Sequence, residues 1–151
     1  MKILLFSGTH SRHLYLHQEI LNFTDDYAAV VMEREGEMPS PPLQLLQSDK
    51  ENYLRHFLDR SRAEKELFGE ISIQSLFQAK RVLQCNPKTL NSNSTAEFVR
   101  EFSPDIVIIF GTNIIKPPLM SVLPFHTINI HLGLSPWYRG SATLFWPFYF
   151  L

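Results

Sequence analysis

The feature that most constrains the fold of this chain is a series of five short apolar runs separated by helical patterns. The runs are bounded by Gly, Pro, Asn or Asp, and they occupy residues 2–6, 28–32, 81–85, 105–110 and 126–130. Such runs are typical of strands buried on both faces of a sheet, as in parallel sheets covered by helices. They therefore predict five strands of one parallel sheet.

Apolar residues recur at helical spacing between these strands, in residues 11–21, 48–68 and 94–102. Ser48 and Glu51 predict a capping box at the start of the second segment. Ser94 and Glu97 predict another at the start of the third, which should end before Ser103. Because strands alternate with helices, we predict an α/β fold with an open, mostly parallel, Rossmann-like sheet and helices on both faces.

Charge and cysteine content narrow the class of protein. The chain has 14 Lys+Arg against 15 Asp+Glu, so no net positive charge attracts nucleic acid or anionic lipid. Cys85 is the only cysteine, which excludes an intrachain disulfide and indicates a reducing compartment. No apolar run reaches the roughly 18 residues of a membrane helix. We therefore expect a soluble cytoplasmic protein of one domain with no membrane partner.

Three of the predicted strands end in polar residues. The first strand is followed by "SGTH" at 7–10, the fourth by "GTN" at 111–113, and the fifth ends in "NIH" at 129–131. Ligands of open α/β sheets bind outside the carboxyl ends of the strands. If the strands are parallel, these three segments lie on one edge of the sheet and form a candidate site.

Asn129 and His131 are two residues apart, so on an extended backbone their side chains point to the same face. An amide can donate to a developing oxyanion, and an imidazole can move a proton near neutral pH. The alternative is that Asn129 caps a turn and His131 is a half-buried histidine with satisfied hydrogen bonds. Taken alone, the pair leaves both interpretations open.

The segment "NIHLGLSPWYRGSA" at 129–142 closely resembles the signature of the folate-dependent formyltransferases. This family includes methionyl-tRNA, glycinamide ribonucleotide and nucleotide-sugar formyltransferases. "MKILLFSGTHSRHL" resembles the opening strand and Gly-Thr turn of the family, and "PDIVIIFGTNIIKPPLM" resembles its folate-contacting loop. The resemblance is specific because three segments match in the family's order.

The resemblance implies transfer of a formyl group from N10-formyltetrahydrofolate to an acceptor amine through a tetrahedral intermediate. Asn129 would stabilise the oxyanion, and His131 would assist proton transfer. Gly111, Ile114 and Ile115 would border the pterin, with core packing as the alternative for the two isoleucines. The residues expected to bind the acceptor are Ser7, Gly8, Thr9, Tyr138 and Arg139.

The family has a third catalytic residue, an aspartate beyond the Asn-x-His motif, and the sequence ends at Leu151 before that position. The resemblance therefore implies that residues 1–151 form an incomplete amino-terminal formyltransferase domain that lacks its carboxyl-terminal part. The charge balance favours a small-molecule acceptor, an amino sugar carried on a nucleotide, over nucleic acid.

Three alternatives to that acceptor or activity are open: a methionyl-tRNA formyltransferase, a non-catalytic ligand-binding module and a dinucleotide-binding domain. The last is disfavoured because "SGTHSR" has one glycine where the G-x-G-x-x-G fingerprint has three.

His13 and His17 have the i, i+4 spacing of metal ligands. No nearby Asp, Glu or Cys completes a set, so no metal site is predicted.

Overall fold

The computed structural model describes residues 1–33, 40–41, 43–70, 72, 74, 81–134 and 136–137. The elements, in chain order, are β1 (Ile3–Ser7), α1 (Ser11–Phe23), β2 (Tyr27–Met32), α2 (Gln47–Phe68), β3 (Arg81–Cys85), α3 (Asn93–Phe102), β4 (Ile106–Phe110), a short 3-10 helix (Leu119–Val122) and β5 (Thr127–Ile130). The predicted α/β fold is confirmed. The predicted strands and helices agree with these bounds to within two residues.

The strands form one five-stranded sheet in the order β3-β2-β1-β4-β5. Every neighbouring pair is parallel, so the carboxyl ends of all five strands lie on the same edge, as predicted. The chain builds outward from β1 to β3 and then crosses back to β4. The strand order therefore reverses between β1 and β4, which is where open α/β sheets bind their ligands.

Each face of the sheet is buried by a different helix, because successive side chains of a strand point to opposite faces. On one face, Leu5 and Val31 pack with Ile20 of α1. On the other, Phe6 and Val107 pack with Val99 of α3 and with the 3-10 helix. The prediction of helices on both faces is confirmed. Each fully buried Leu, Val or Phe side chain stabilises the fold by about 1.5–3 kcal/mol.

The helix α2 has the apolar spacing of a core helix but no buried residue. Leu58 is 55% exposed and Leu67 is 76% exposed. The helix lies against α1, where Arg12 and Arg60 both contact the carboxylate of Glu64. Ion pairs therefore contribute to the contact between α2 and α1.

Both predicted capping boxes are wrong in position. The N-cap of α2 is Leu46, which makes no side-chain capping bond. The N-cap of α3 is Ser92, whose hydroxyl accepts a hydrogen bond from the Thr95 amide over 3.3 Å. The helix α3 ends at Phe102, before Ser103 as expected, and Ser103 caps it in the left-handed conformation. Within the described residues, no helix is both long enough and apolar enough to cross a membrane.

Candidate functional site

The ends of β1, β4 and β5 are level with one another at the edge of the sheet. Ser7 pairs with Phe110, and Phe110 pairs with Ile130. Gly8, Gly111 and His131 each directly follow one of these three paired residues. Because neighbouring strands are about 4.8 Å apart, the three strand ends span about 10 Å. The structure thus brings together the three polar segments that the sequence singled out.

Asn129 and His131 lie at the end of the edge strand β5. Asn129 is exposed and pairs in register with Ile109, which packs on the α3 side of the sheet. His131 is partly buried, and its Nδ1 atom lies 3.0 Å from the carbonyl oxygen of Gly133. Because a carbonyl can only accept, Nδ1 carries the proton of the neutral ring. The Nε2 atom of that tautomer is then the basic nitrogen.

The end of β1 is buried and internally hydrogen-bonded. The Ser7 hydroxyl lies 2.7 Å from His17 Nε2 and 3.0 Å from the Gly8 carbonyl oxygen. The Tyr27 hydroxyl contacts the other ring nitrogen of His17. One arrangement satisfies every donor: Tyr27 donates to His17, His17 donates to Ser7, and Ser7 donates to the Gly8 carbonyl.

Burial lowers the pKa of His17 to about 4, so its ring is neutral near pH 7, as this arrangement requires. The Ser7 side chain is therefore fixed inside the fold and does not reach the edge of the sheet. Gly8 is also buried, whereas Thr9 is exposed. Of the three residues expected on the acceptor side of β1, only Thr9 presents a side chain to solvent.

His13 is a residue of this edge that the sequence did not assign to the site. It lies on the inner face of α1 and is only 1% exposed. A Cβ atom added at Gly8 would lie 2.8 Å from His13 Nδ1, and one added at Gly111 would lie 2.5 Å from Nε2. The ring also meets Phe110 edge-on, with centroids 4.6 Å apart. The sequence signal for this contact is a glycine directly after each of two neighbouring strands, together with a histidine on the helix that covers them.

The loop after β4 contains the three residues expected to border the pterin. Gly111 has a φ angle of +75°, which favours glycine. Ile114 is 77% exposed, whereas Ile115 packs against the α3-side core. Asn91, which the sequence did not single out, fixes this loop: its amide donates to the Ile114 carbonyl over 3.1 Å and accepts from the Lys116 amide over 2.7 Å.

A cavity of about 240 Å³ lies beside the end of β1. Thr9, His10 and Ser11 form one wall, and Arg60, Ser61 and Lys65 of α2 form another. Its charged side chains are paired, with Arg60 lying 3.5 Å from Glu64 and Lys65 lying 3.2 Å from Glu70. The helix α2 therefore lines a cavity next to Thr9, beside the candidate site.

Two residues expected to bind the acceptor, Tyr138 and Arg139, lie outside the described residues. In the part of the chain that the structure describes, no three His, Cys, Asp or Glu side chains come together as metal ligands. The two histidines with metal-ligand spacing instead have separate surroundings: His17 bonds Ser7 and Tyr27, and His13 packs against Gly8 and Gly111.

Comparison with known proteins supports the family resemblance. No family model matches the chain. The methionyl-tRNA formyltransferase of Geotalea daltonii is 27% identical over 113 residues, which cover 73% of this chain and 36% of that protein. The methionyl-tRNA formyltransferase of Trichlorobacter lovleyi is 26% identical over the same length and coverage. The chain thus spans about a third of the length of these curated relatives.

Two solved structures share the fold over 99% of this chain at 13% sequence identity. The phosphoribosylglycinamide formyltransferase of Anaplasma phagocytophilum matches with a TM-score of 0.57 over 58% of its own length. The glycinamide ribonucleotide transformylase 1 of Symbiobacterium toebii matches with a TM-score of 0.55 over 60% of its length. The sequence matches support the resemblance to the folate-dependent formyltransferases, and the two solved structures show that the chain shares their fold.

Proposed function

We propose that the chain is part of an enzyme that transfers a formyl group from N10-formyltetrahydrofolate to an acceptor amine. One observation carries the proposal: the ends of β1, β4 and β5 are level at one edge of the sheet, at the reversal of strand order. In this proposal the turn after β1 contacts the acceptor, the loop after β4 contacts the donor, and the Asn-x-His pair lies at the same edge. The formyltransferases among the relatives support the same reaction class.

The catalytic roles fall to Asn129 and His131. Asn129 donates a hydrogen bond to the formyl oxygen as negative charge develops there, and its exposed amide is available for this contact. His131 Nε2 accepts the proton released by the attacking amine and returns a proton to N10 of the folate as the bond from carbon to N10 breaks. The Gly133 carbonyl holds the tautomer that leaves Nε2 basic.

The loop after β4 fits the pterin of the donor. Gly111 presents backbone without a side chain, and the exposed Ile114 side chain offers an apolar surface to a flat heterocycle. Ile115 supports the loop from the core, and Asn91 holds it in place. When bound, the folate supplies the activated formyl group.

The acceptor side comprises Gly8, Thr9 and the cavity bounded by α2. Ser7 acts through the buried contacts that hold this turn, and Tyr138 and Arg139 complete the proposed acceptor contacts. We propose an amino sugar carried on a nucleotide as the acceptor, because the formal charge of −1 provides no general attraction for RNA. A cytoplasmic location accompanies this proposal, since both substrates are intracellular metabolites.

A second acceptor, methionyl-tRNA, is favoured by a different observation: the curated relatives named above are methionyl-tRNA formyltransferases. Because the chain covers only about a third of each relative, we propose that residues 1–151 supply the amino-terminal part of a formyltransferase domain. A module that binds folate without turnover is the competing outcome.

Calorimetric titration with 5-formyltetrahydrofolate, a stable analogue of the donor, tests the proposal. We expect saturable binding that an exposed-loop variant, Ile114→Asp, weakens and that Leu67→Asp, a control on the outer surface of α2, leaves unchanged. Formyl transfer is then measured with an amino-sugar nucleotide and with methionyl-tRNA in parallel. Absence of binding would contradict the proposed function, and binding without transfer to any amine would identify the non-catalytic module.

A further inference from the structure

The position of His13 suggests a function beyond packing. Its ring reaches the edge of the sheet at the point where the strand order reverses, between the end of β1 and the end of β4. Gly8 belongs to the acceptor side of the proposed site, and Gly111 belongs to the donor side. His13 therefore contacts both sides of the site while lying almost wholly inside the fold.

The two glycines are matched to the ring. A Cβ at Gly8 would approach His13 Nδ1 and Cε1 to 2.8 and 2.9 Å, and one at Gly111 would approach Nε2 and Cε1 to 2.5 and 2.9 Å. These distances are too short for real carbon contacts, so either glycine can be replaced only if the ring moves. The ring thus fits into a slot that exists because both strand ends lack a side chain.

Other contacts keep the ring from moving freely. Phe110 meets it edge-on, with an angle of 88° between the rings. Leu14 and His17 are buried together with His13 on the inner face of α1. His17 in turn is bonded to Ser7, the residue before Gly8. The ring is therefore held between the Gly8 turn and the Gly111 turn, which the pairing of Ser7 with Phe110 keeps next to each other.

We propose that His13 is a positioning residue that sets the acceptor-side turn at Gly8 and the donor-side loop at Gly111 in the relative position that formyl transfer needs. The inference rests on the proposed function. Each substrate contacts its own side, so loss of the ring leaves the separate binding steps largely intact. Alignment of the amine with the formyl carbon is what is lost, and misplacement by about 1 Å can reduce a rate by about 10²-fold.

The test compares kcat with the affinity for each substrate in His13→Ala and His13→Phe. We expect His13→Ala to lower kcat by about 10²-fold while the Kd for 5-formyltetrahydrofolate and the KM for the acceptor change by less than about threefold. His13→Phe keeps a flat ring in the slot and should retain most of the rate. The control Ile20→Ala removes a buried side chain at the far end of α1 and should lower stability without lowering kcat.

A second comparison uses Gly8→Ala alone and together with His13→Ala. The single change should lower kcat because the new methyl group displaces the ring. In the double variant the methyl group enters vacated space, so the combined loss should be smaller than the product of the two single losses. This readout detects the specific contact, whereas a general loss of stability would make the two effects multiply.

The outcomes distinguish failure of the positioning inference from failure of the proposed function. If the unchanged protein transfers formyl groups and His13→Ala is equally fast, or if the losses in the double variant multiply, the positioning inference is wrong and the proposed function stands. If His13→Ala weakens binding of both substrates as much as it lowers kcat, His13 is structural only. If the unchanged protein neither binds the folate analogue nor transfers a formyl group, the proposed function fails and the inference fails with it.

Discussion

A polar side chain lies near a histidine at the carboxyl ends of both β1 and β5, but the surroundings are opposite and the histidine at β1 comes from α1. At β1, Ser7 and His17 are both fully buried and are bonded to each other. At β5, Asn129 is exposed and His131 bonds only a local carbonyl within its loop, among the bonds that the structure describes. The first pair holds the edge of the sheet through buried hydrogen bonds, and the second is the pair that we propose contacts the substrate.

This difference separates two kinds of effect that substitutions should have. Changes at the end of β5 should lower the rate of formyl transfer and leave the free energy of unfolding nearly unchanged, because the side chains there bury little area. Changes at the end of β1 should lower the free energy of unfolding, because buried polar atoms would lose their partners.

His131→Ala should lower kcat by about 10²–10⁴-fold, the range for loss of a general acid-base group. The matched control is His126→Ala, which removes an exposed histidine at the opposite end of the same strand. We expect the control to keep its rate, and circular dichroism should show the same fold for both variants. Near-normal turnover in His131→Ala would remove this residue from the mechanism.

Asn129→Ala should lower kcat by about 10²–10³-fold, as expected for loss of one oxyanion donor. The KM for the acceptor should change little, because the hydrogen bond strengthens only as charge develops on the formyl oxygen. Steady-state kinetics with both substrates varied measures the two constants separately. A rise in KM with unchanged kcat would instead assign Asn129 to ground-state binding.

Acidification should destabilise the protein through His17. Burial lowers the pKa of His17 to about 4 in the folded protein, whereas the unfolded chain titrates near 6.5, so the unfolded state binds more protons between these values. Stability should therefore fall as the pH drops from 6.5 toward 4, by up to about 3 kcal/mol. Urea unfolding at several pH values measures this slope, and His17→Gln should flatten it. An unchanged slope in that variant would assign the acid sensitivity to other groups.

Tyr27→Phe should lower the free energy of unfolding by about 1–3 kcal/mol, because His17 Nδ1 would lose its buried donor. Tyr15→Phe is the control, since Tyr15 lies on the same helix as His17 but is 40% exposed. Urea unfolding at pH 7 compares the two variants. Equal losses in both would show that the buried hydrogen-bond chain has no special contribution.

The sequence predicts the sheet and the edge that carries the candidate site for a simple physical reason. Continuous apolar runs such as 105–110 are typical of strands covered on both faces, which favours a parallel sheet with covering helices. In such a sheet all strand ends with polar residues meet at one edge. The sequence therefore predicts that Gly111 and His131 lie at the same edge.

Features that depend on side-chain packing were not predictable in this way. The local sequence around Ser7 suggests an acceptor contact and does not predict the hydrogen bond to His17. That bond forms because α1 folds back over β1. Asn91 fixes a loop more than twenty residues away, and no local signal marks it. The apolar spacing of α2 predicts burial, yet the helix lies against α1 and Leu58 remains exposed.

The most direct test of a formyl-transfer site at this edge of the sheet follows the formyl carbon itself. N10-formyltetrahydrofolate labelled with ¹³C in the formyl group is incubated with an amino-sugar nucleotide and the protein, and the ¹³C NMR signal is recorded over time. We predict that the label moves from N10 of the folate to the acceptor amine, and that His131→Ala stops the transfer while His126→Ala does not. Transfer at the same rate in His131→Ala, or no transfer to any amine by the unchanged protein, would contradict the assignment of a formyl-transfer site to this edge of the sheet.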